Sequence, residues 1–398
     1  FMGEQVGSFD TAVLDYFNPQ EKDNVQAGIS GPYGQEGIIG SLNEGDLAPN
    51  DRDVSGRAFA SYFSGNIIQI CPVGALTSND YRFRARPFDL VSTASVTEHD
   101  ASGSAIRVDI RRGEVLRRLA GNDPEVNEEW ITDKDRFAFK WSGVQRLNTP
   151  FVRENGQLVP TSWSDALDRV HRALAGLSGD QVGFLPGGRL SFEDAWAWSK
   201  FARTVVGSDS IDMRSRSHSE EERSFLAAHV AGSGLGVTYS QLESAGQVLL
   251  VGLEPEDECG ALFLRMRKAT RKGKLRVASL APMTSRGLAK LSGELLRCAP
   301  GTEVEVAAAI APEGEYAELA GRLEGGIILV GERASRTPGL LSEVVRLAQR
   351  CKARIQWVPR RAGERGGLEA GLLPGLLPFG RPVSGADARE SLAWGEIC

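Results

Sequence analysis

The sequence predicts an α/β protein in three parts: a loop-rich N-terminal segment, a small β subdomain, and a doubly wound α/β domain. Three observations carry that prediction. Residues 1–60 are rich in glycine, asparagine and aspartate, with five glycines and a proline between Gly28 and Gly40. Two alternating apolar–polar runs flank Arg112-Gly113. From about Phe151 onward, apolar strand-like runs alternate with helical stretches, the signature of a parallel sheet covered on both faces.

In chain order, the first segment reads as turns with a short helical piece at Thr11–Phe17. Ala105–Asp109 and Glu114–Leu119 form the hairpin, with Gly113 supplying the turn. Gln181–Pro186 reads as a strand ended by Gly187-Gly188, and Phe192–Val206 as a helix with Glu193 and Asp194 near its start. Gln247–Leu253, Leu275–Leu280, Gly326–Gly331 and Arg354–Val358 read as buried strands. Helices are expected over Glu258–Arg271, closed by Lys272-Gly273, and over Pro338–Arg350. The Pro/Gly-rich run Leu372–Val383 reads as a loop.

Composition narrows the function. The chain has 398 residues, 41% of them hydrophobic and 25% charged, enough to bury a core. A net charge of −6 argues against non-specific nucleic-acid binding, which needs a basic surface. No run approaches the ~18 apolar residues of a membrane span. The five cysteines, at 71, 259, 298, 351 and 398, contain no CxxC pair, so no complete cysteine-built metal site lies within the chain. The chain starts at Phe1 without a visible signal peptide, and reads as a fragment.

Most candidate motifs have a plainer reading. Gly187-Gly188 could cradle a phosphate, but the text is GGR rather than GxGxxG, and a tight turn suffices. Glu254, Glu256, Asp257 and Glu258 could hold a divalent cation, though acids at a helix start are favoured by the dipole alone. His99, His171, His218 and His229 form no HxxxH pair, and the basic loop around His218 (Arg214, Arg216) reads as solvated surface. There is no GxSxG elbow or GxxxxGK[ST] loop. Cys259, Cys298 and Cys351 read as core or surface thiols at helix ends. Cys71 stands apart, because the last cysteine of an iron–sulfur run is typically followed by proline, and Pro72 follows it.

The text around Cys71 adds a resemblance. Ser61–Ser78 (SYFSGNIIQICPVGALTS) and Tyr81–Pro87 (YRFRARP) resemble the G subunit of bacterial NADH-quinone oxidoreductase, respiratory complex I, of the actinobacterial type. The likeness continues through Arg117–Ala120, Asp123–Trp130, Thr149–Arg153 and Leu158–Trp163, and covers about residues 61–398. It divides the chain into the C-terminal part of a ferredoxin-like iron–sulfur domain (1–85), a small β subdomain of the 4Fe-4S molybdopterin type (86–143), and a molybdopterin-oxidoreductase-like α/β domain (144–398). The Gly-rich text near 28–55 reads as an insertion.

In that family the CPVGAL motif gives the fourth thiolate of a [4Fe–4S] cluster whose other ligands form CxxCxxC. Cys71 matches the fourth position, and Phe1–Gly7 resembles the text just after that run, which places the other ligands upstream of Phe1. Some members carry a further cluster in the frame C-x2-C-x3-C-x27-C. The matching positions here are Thr97, Asp100, Ser104 and Thr132, which implies that this cluster is lost. The resemblance implies an electron-transfer and scaffold subunit that passes electrons from NADH through clusters toward quinone, in a complex that pumps protons. No residue of this chain is expected to be catalytic. Further 4Fe-4S and 2Fe-2S clusters are expected in the full-length protein, and no molybdopterin. Implied partners are the NADH/flavin-binding and iron–sulfur subunits of the peripheral arm, on the cytoplasmic side of the inner membrane, without membrane insertion or nucleic acid. Two alternatives remain at this point: a molybdopterin-dependent oxidoreductase such as a formate dehydrogenase, and a cofactor-free interaction module.

Overall fold

A computed structural model describes residues 62–78, 80–144 and 146–391. The expected helix at Thr11–Phe17, the turns of Gly28–Gly40 and Cys398 lie outside the described residues. The chain divides into two units, one holding residues 62–96 and 104–144, the other 97–103 and 146–391.

The first unit is built on a three-stranded antiparallel sheet of β1 (Val91–Val96), β2 (Ala105–Arg111) and β3 (Glu114–Ala120), in that order. The expected hairpin is β2–β3. Its two turn residues, Arg112 and Gly113, have φ of 52° and 82°, the paired positive values of a tight hairpin turn. Asp109 is fully buried at a break in the β2–β3 register. Burial would raise its carboxyl, but Ser92, Arg117 and Arg107 hold it below its ordinary value. Two short helices pack on this sheet, α1 (Gly65–Ile70) and α2 (Asp133–Phe137). Thr132 caps α2, accepting from the Asp135 amide at 3.1 Å.

The second unit opens with a hairpin, β4 (Phe151–Glu154) and β5 (Gln157–Pro160), then helix α3 (Trp163–Leu174). Helix α4 (Phe192–Lys200) is capped by Ser191 and runs on into a π-helical turn, Phe201–Val206, so the expected helix over Phe192–Val206 stands with a changed pitch in its last third. Helix α5 (Glu220–His229) follows. The sheet itself is parallel and five-stranded: β6 (Gly246–Val251), β7 (Leu275–Ala281), β8 (Glu294–Arg297), β9 (Ile327–Gly331) and β10 (Arg354–Val358), in the order β10-β9-β6-β7-β8. Val248–Val251 and Ile327–Val330 are buried on both faces, as expected when helices cover a sheet on each side. The covering helices include α6 (Gly260–Arg271) and α7 (Leu340–Cys351), and α8 (Glu364–Glu369) follows β10.

Three expectations are corrected. Gln181–Pro186 is no sheet strand: Phe184 makes a single bridge to Ile211, while Gly179–Gln181 is a 3-10 turn. The expected helix over Glu258–Arg271 is broken at Cys259, with a separate turn at Pro255–Glu258. The Leu372–Val383 run is not a surface loop. Leu372, Leu373, Leu376 and Leu377 are buried, and a small antiparallel ladder pairs Leu376–Leu377 with Arg381–Pro382.

Candidate metal centre

Cys71 follows directly on the last residue of α1, where the backbone turns extended (φ −66°, ψ 110°). Pro72 blocks continuation of the helix. The amides of Leu76 first, then Val73, Ala75 and Gly74, lower the Cys71 thiol pKa against the opposing effect of desolvation. Backbone N–H groups converging on one sulfur favour its thiolate, the form that binds iron. Cys71 is partly exposed, on the wall of an open groove of about 1030 Å³. The groove wall is strongly basic, with Arg84, Arg86, Arg111, Arg117 and Arg118 on it. Arg117 lies against the Tyr81 ring at 4.2 Å and donates to Asp109 at 2.6 Å.

Among the described residues no group of three or more Cys, His, Asp or Glu side chains could hold a metal ion. One thiolate, a set of amide donors and an open groove fit one corner of an iron–sulfur cluster, not a whole cluster.

Thr97, Asp100, Ser104 and Thr132 are all nearly fully buried. Thr97 and Asp100 sit in the second unit, Ser104 and Thr132 in the first. Three of them serve the backbone. Thr97 Oγ1 accepts from the His99 amide at 3.3 Å, Asp100 accepts from the amides of Ser102 at 2.8 Å and Gly260 at 3.4 Å, and Thr132 caps α2. Sequence reading missed what accompanies Asp100. Ser102 Oγ lies 3.2 Å from the buried Cys259 sulfur, and the Tyr239 hydroxyl donates to the Ser102 carbonyl at 2.8 Å. Burial pushes the Tyr239 hydroxyl well above its ordinary pKa. The lone Cys259, read as a core thiol, gave no signal of this contact. Cys298 and Cys351 are buried too, Cys351 at the end of α7 and Cys298 just after β8 rather than at a helix end.

The plainer readings divide. Gly188 packs tightly against the Glu364 and Arg361 side chains, which leave no room for a Cβ, so close packing accounts for the glycine. The acids after β6 are engaged: Glu258 pairs with Arg333 at 2.7 Å and Arg360 at 2.9 Å, and Glu256 with Lys290. The His218 loop is corrected, since its arginines are not solvated. Arg214 is buried and pairs with Asp212 at 2.7 Å and Glu222 at 3.3 Å, while Arg216 joins Glu222 at 2.5 Å to Glu332 at 3.1 Å. His218 stands 3.7 Å from Asp212.

Residues 146–342 match the family model for molybdopterin oxidoreductases, and residues 90–140 that for the NADH-ubiquinone oxidoreductase NDSU1/NuoG-like 4Fe-4S domain. The chain is 52% identical over 364 residues to the G subunit of NADH-quinone oxidoreductase from Streptomyces coelicolor, covering 85% of this chain and 43% of that protein. The corresponding G subunit from Mycobacterium bovis is 53% identical over 343 residues, 84% of this chain and 42% of that protein. The one from Rickettsia felis is 36% identical over 220 residues, 55% of this chain and 32% of that protein. The chain thus spans less than half the length of these curated relatives. The resemblance carried by the Cys71 region stands, and so does the α/β reading with a molybdopterin-oxidoreductase-type domain.

Proposed function

We propose, from the premise that this chain is a relative of the NADH-quinone oxidoreductase G subunit along most of its length, that it forms part of an electron-transfer and scaffold subunit of that complex. The observation that carries the proposal is the Cys71 thiol, set among the amides of residues 73–76 at a basic groove. Cys71 would supply one of four thiolates to a [4Fe–4S] cluster, with the other ligands upstream of Phe1. When bound, such a cluster passes single electrons. The chain's own part is to hold the sulfur charge. Hydrogen bonds to a ligating sulfur and nearby positive charge both raise a cluster's potential, and the loop amides and the arginine wall provide these.

The further 4Fe-4S and 2Fe-2S clusters of the whole protein, the flavin-binding and iron–sulfur partner subunits, and a peripheral place on the cytoplasmic side of the inner membrane belong to the same proposal. Among the described residues no helix is long and apolar enough to cross a membrane. The 4Fe-4S-type region at 90–140 contains no cysteine, and Thr97, Asp100 and Thr132 use their oxygens on backbone amides, which supports loss of the second cluster. The residues at the strand ends do not suit an anionic pterin cofactor, because their acids and arginines are already paired.

The test is Cys71→Ser in the intact complex. Loss of one [4Fe–4S] signal in electron paramagnetic resonance, with slowed electron transfer from NADH, is expected. An unchanged set of cluster signals would favour a cofactor-free interaction module. The 398-residue chain alone is expected to be colourless, since one thiolate cannot retain the cluster.

A further inference from the structure

We propose that Asp133 and Arg136, both on α2, are positioning residues for Cys71, a role that rests on the reading of Cys71 as a cluster ligand. The argument starts from α1, which has only six residues and no side-chain cap of its own. A helix so short does not hold itself in water. Nor does apolar packing hold it, since Gly65 and Asn66 are its only buried residues and Ile70 is 55% exposed.

Polar contacts from far along the chain do this instead. The Asp133 carboxylate accepts from the Ser64 amide at 3.0 Å, the Ser64 hydroxyl at 2.6 Å and the Gly65 amide at 2.7 Å. It serves as the missing N-cap, with a negative charge at the positive end of the helix. Arg136, one turn further along α2, donates to Asn66 Oδ1 at 2.8 Å and Gln69 Oε1 at 2.9 Å. Its guanidinium crosses directly above Gly65, where a Cβ would meet it. Asn66 and Gln69 are then tied to the backbone: Asn66 to Ile131 at 2.8 and 3.2 Å, Gln69 to Ala120 at 3.1 and 2.8 Å. Gln69 is two residues before Cys71, and Arg136 lines the same groove as the thiol. The clamp on α1 therefore fixes where the 71–76 loop begins, and with it the place of the Cys71 sulfur.

The test introduces Asp133→Asn and Arg136→Met into the intact complex and reads the electron paramagnetic resonance spectrum of its clusters. Both variants are expected to shift or broaden one [4Fe–4S] signal at unchanged subunit content. Arg136→Lys, which keeps one donor, is expected to recover part of the change. Should Arg136→Met fail to assemble, Gln69→Ala cuts the same link from the α1 side and carries the same expectation. Spectra that superimpose on the parent's for Asp133→Asn and for the Arg136 or Gln69 variant overturn the proposal. Cys71→Ser in the same complex separates the two readings. If it leaves every cluster signal in place, the ligand reading fails and the positioning role falls with it. If it removes a signal that the clamp variants leave unaltered, only the positioning role fails.

Discussion

Replacing Gly65 by alanine reverses an ordinary expectation. Alanine in place of glycine within a helix normally stabilises by up to ~1 kcal/mol. At Gly65 the added Cβ would lie 2.5 Å from Arg136 Cδ, 2.6 Å from Arg136 Nε and 2.9 Å from Asp133 Oδ1. All three are well inside van der Waals contact, so the arginine must leave. Its two bonds to Asn66 and Gln69 are charge-assisted, each worth about 1.5–3 kcal/mol. Losing even one of them, with residual overpacking of about 1–3 kcal/mol, outweighs the gain in helix propensity. The net expectation is destabilisation of the first unit by about 2 kcal/mol or more. Native-state hydrogen exchange over residues 105–120 reads this, because those residues form the β2–β3 ladder on which α1 and α2 pack. Faster exchange in Gly65→Ala, by roughly 30-fold, is the expected result for a loss of that size. Exchange equal to or slower than the parent's would refute the reasoning, since it would mean that Arg136 does not occupy the space above Gly65.

Two other predictions concern the second unit. Burial, with the neighbouring Glu332 adding to it, pushes the Glu364 carboxyl up to about 7, while Arg361 opposes the rise. An acid that keeps its proton longer when folded than when unfolded makes stability fall as pH rises from the unfolded value, near 4.5, to about 7. Glu364→Gln is expected to flatten the pH dependence of stability in that window, measured by urea unfolding at stepped pH; an unchanged slope would show that Glu364 does not carry the proton. Arg203 is fully buried and donates to Ser199 Oγ at 2.7 Å, to the Gly371 carbonyl at 2.9 Å and to the Leu373 carbonyl at 3.2 Å, besides pairing with Asp209. Arg203→Met should cost about 3–5 kcal/mol, because several buried acceptors lose their donor together; a midpoint in urea close to the parent's would contradict this.

What the sequence made legible follows from how the signals arise. The core strands β6, β7, β9 and β10 were readable because strands buried on both faces are nearly continuous apolar runs. The edge strand β8 was missed: Glu294 and Arg297 are exposed and only Leu296 is fully buried, so no such run exists. The β4–β5 hairpin was missed for the same reason, since nearly every residue in it is exposed. The Leu372–Val383 run misled in the other direction. Its prolines and glycines signal turns, but its four buried leucines and the Leu373 carbonyl met by Arg203 belong to the core, a tertiary fact that local composition does not record. Cys71 was legible through Pro72 and the surrounding text. Asp133 and Arg136 were not, because they act across more than sixty residues of chain on backbone and amide groups, and no spacing rule links them to the thiol.

The same distinction between local text and tertiary pairing bears on the parallel sheet. Chain order runs outward from β6 through β7 and β8 on one side and through β9 and β10 on the other, so the crevice beyond the carboxyl ends of β6 and β9 is the switch point where such sheets bind ligands. Gly252, just past β6, has φ of 60°, and a Cβ on it would press on the Ala334 backbone that follows β9. Around that contact Glu258 bridges Arg333 and Arg360, and Arg216 bridges Glu222 and Glu332. To enter, an anionic ligand would have to take an arginine from a buried carboxylate and leave that charge without its partner. The network that makes the crevice a poor ligand site also ties the ends of β6, β9 and β10 to one another. That tie between strand ends is what a scaffold needs, and the redox chemistry proposed for this chain is argued from the unit that holds Cys71.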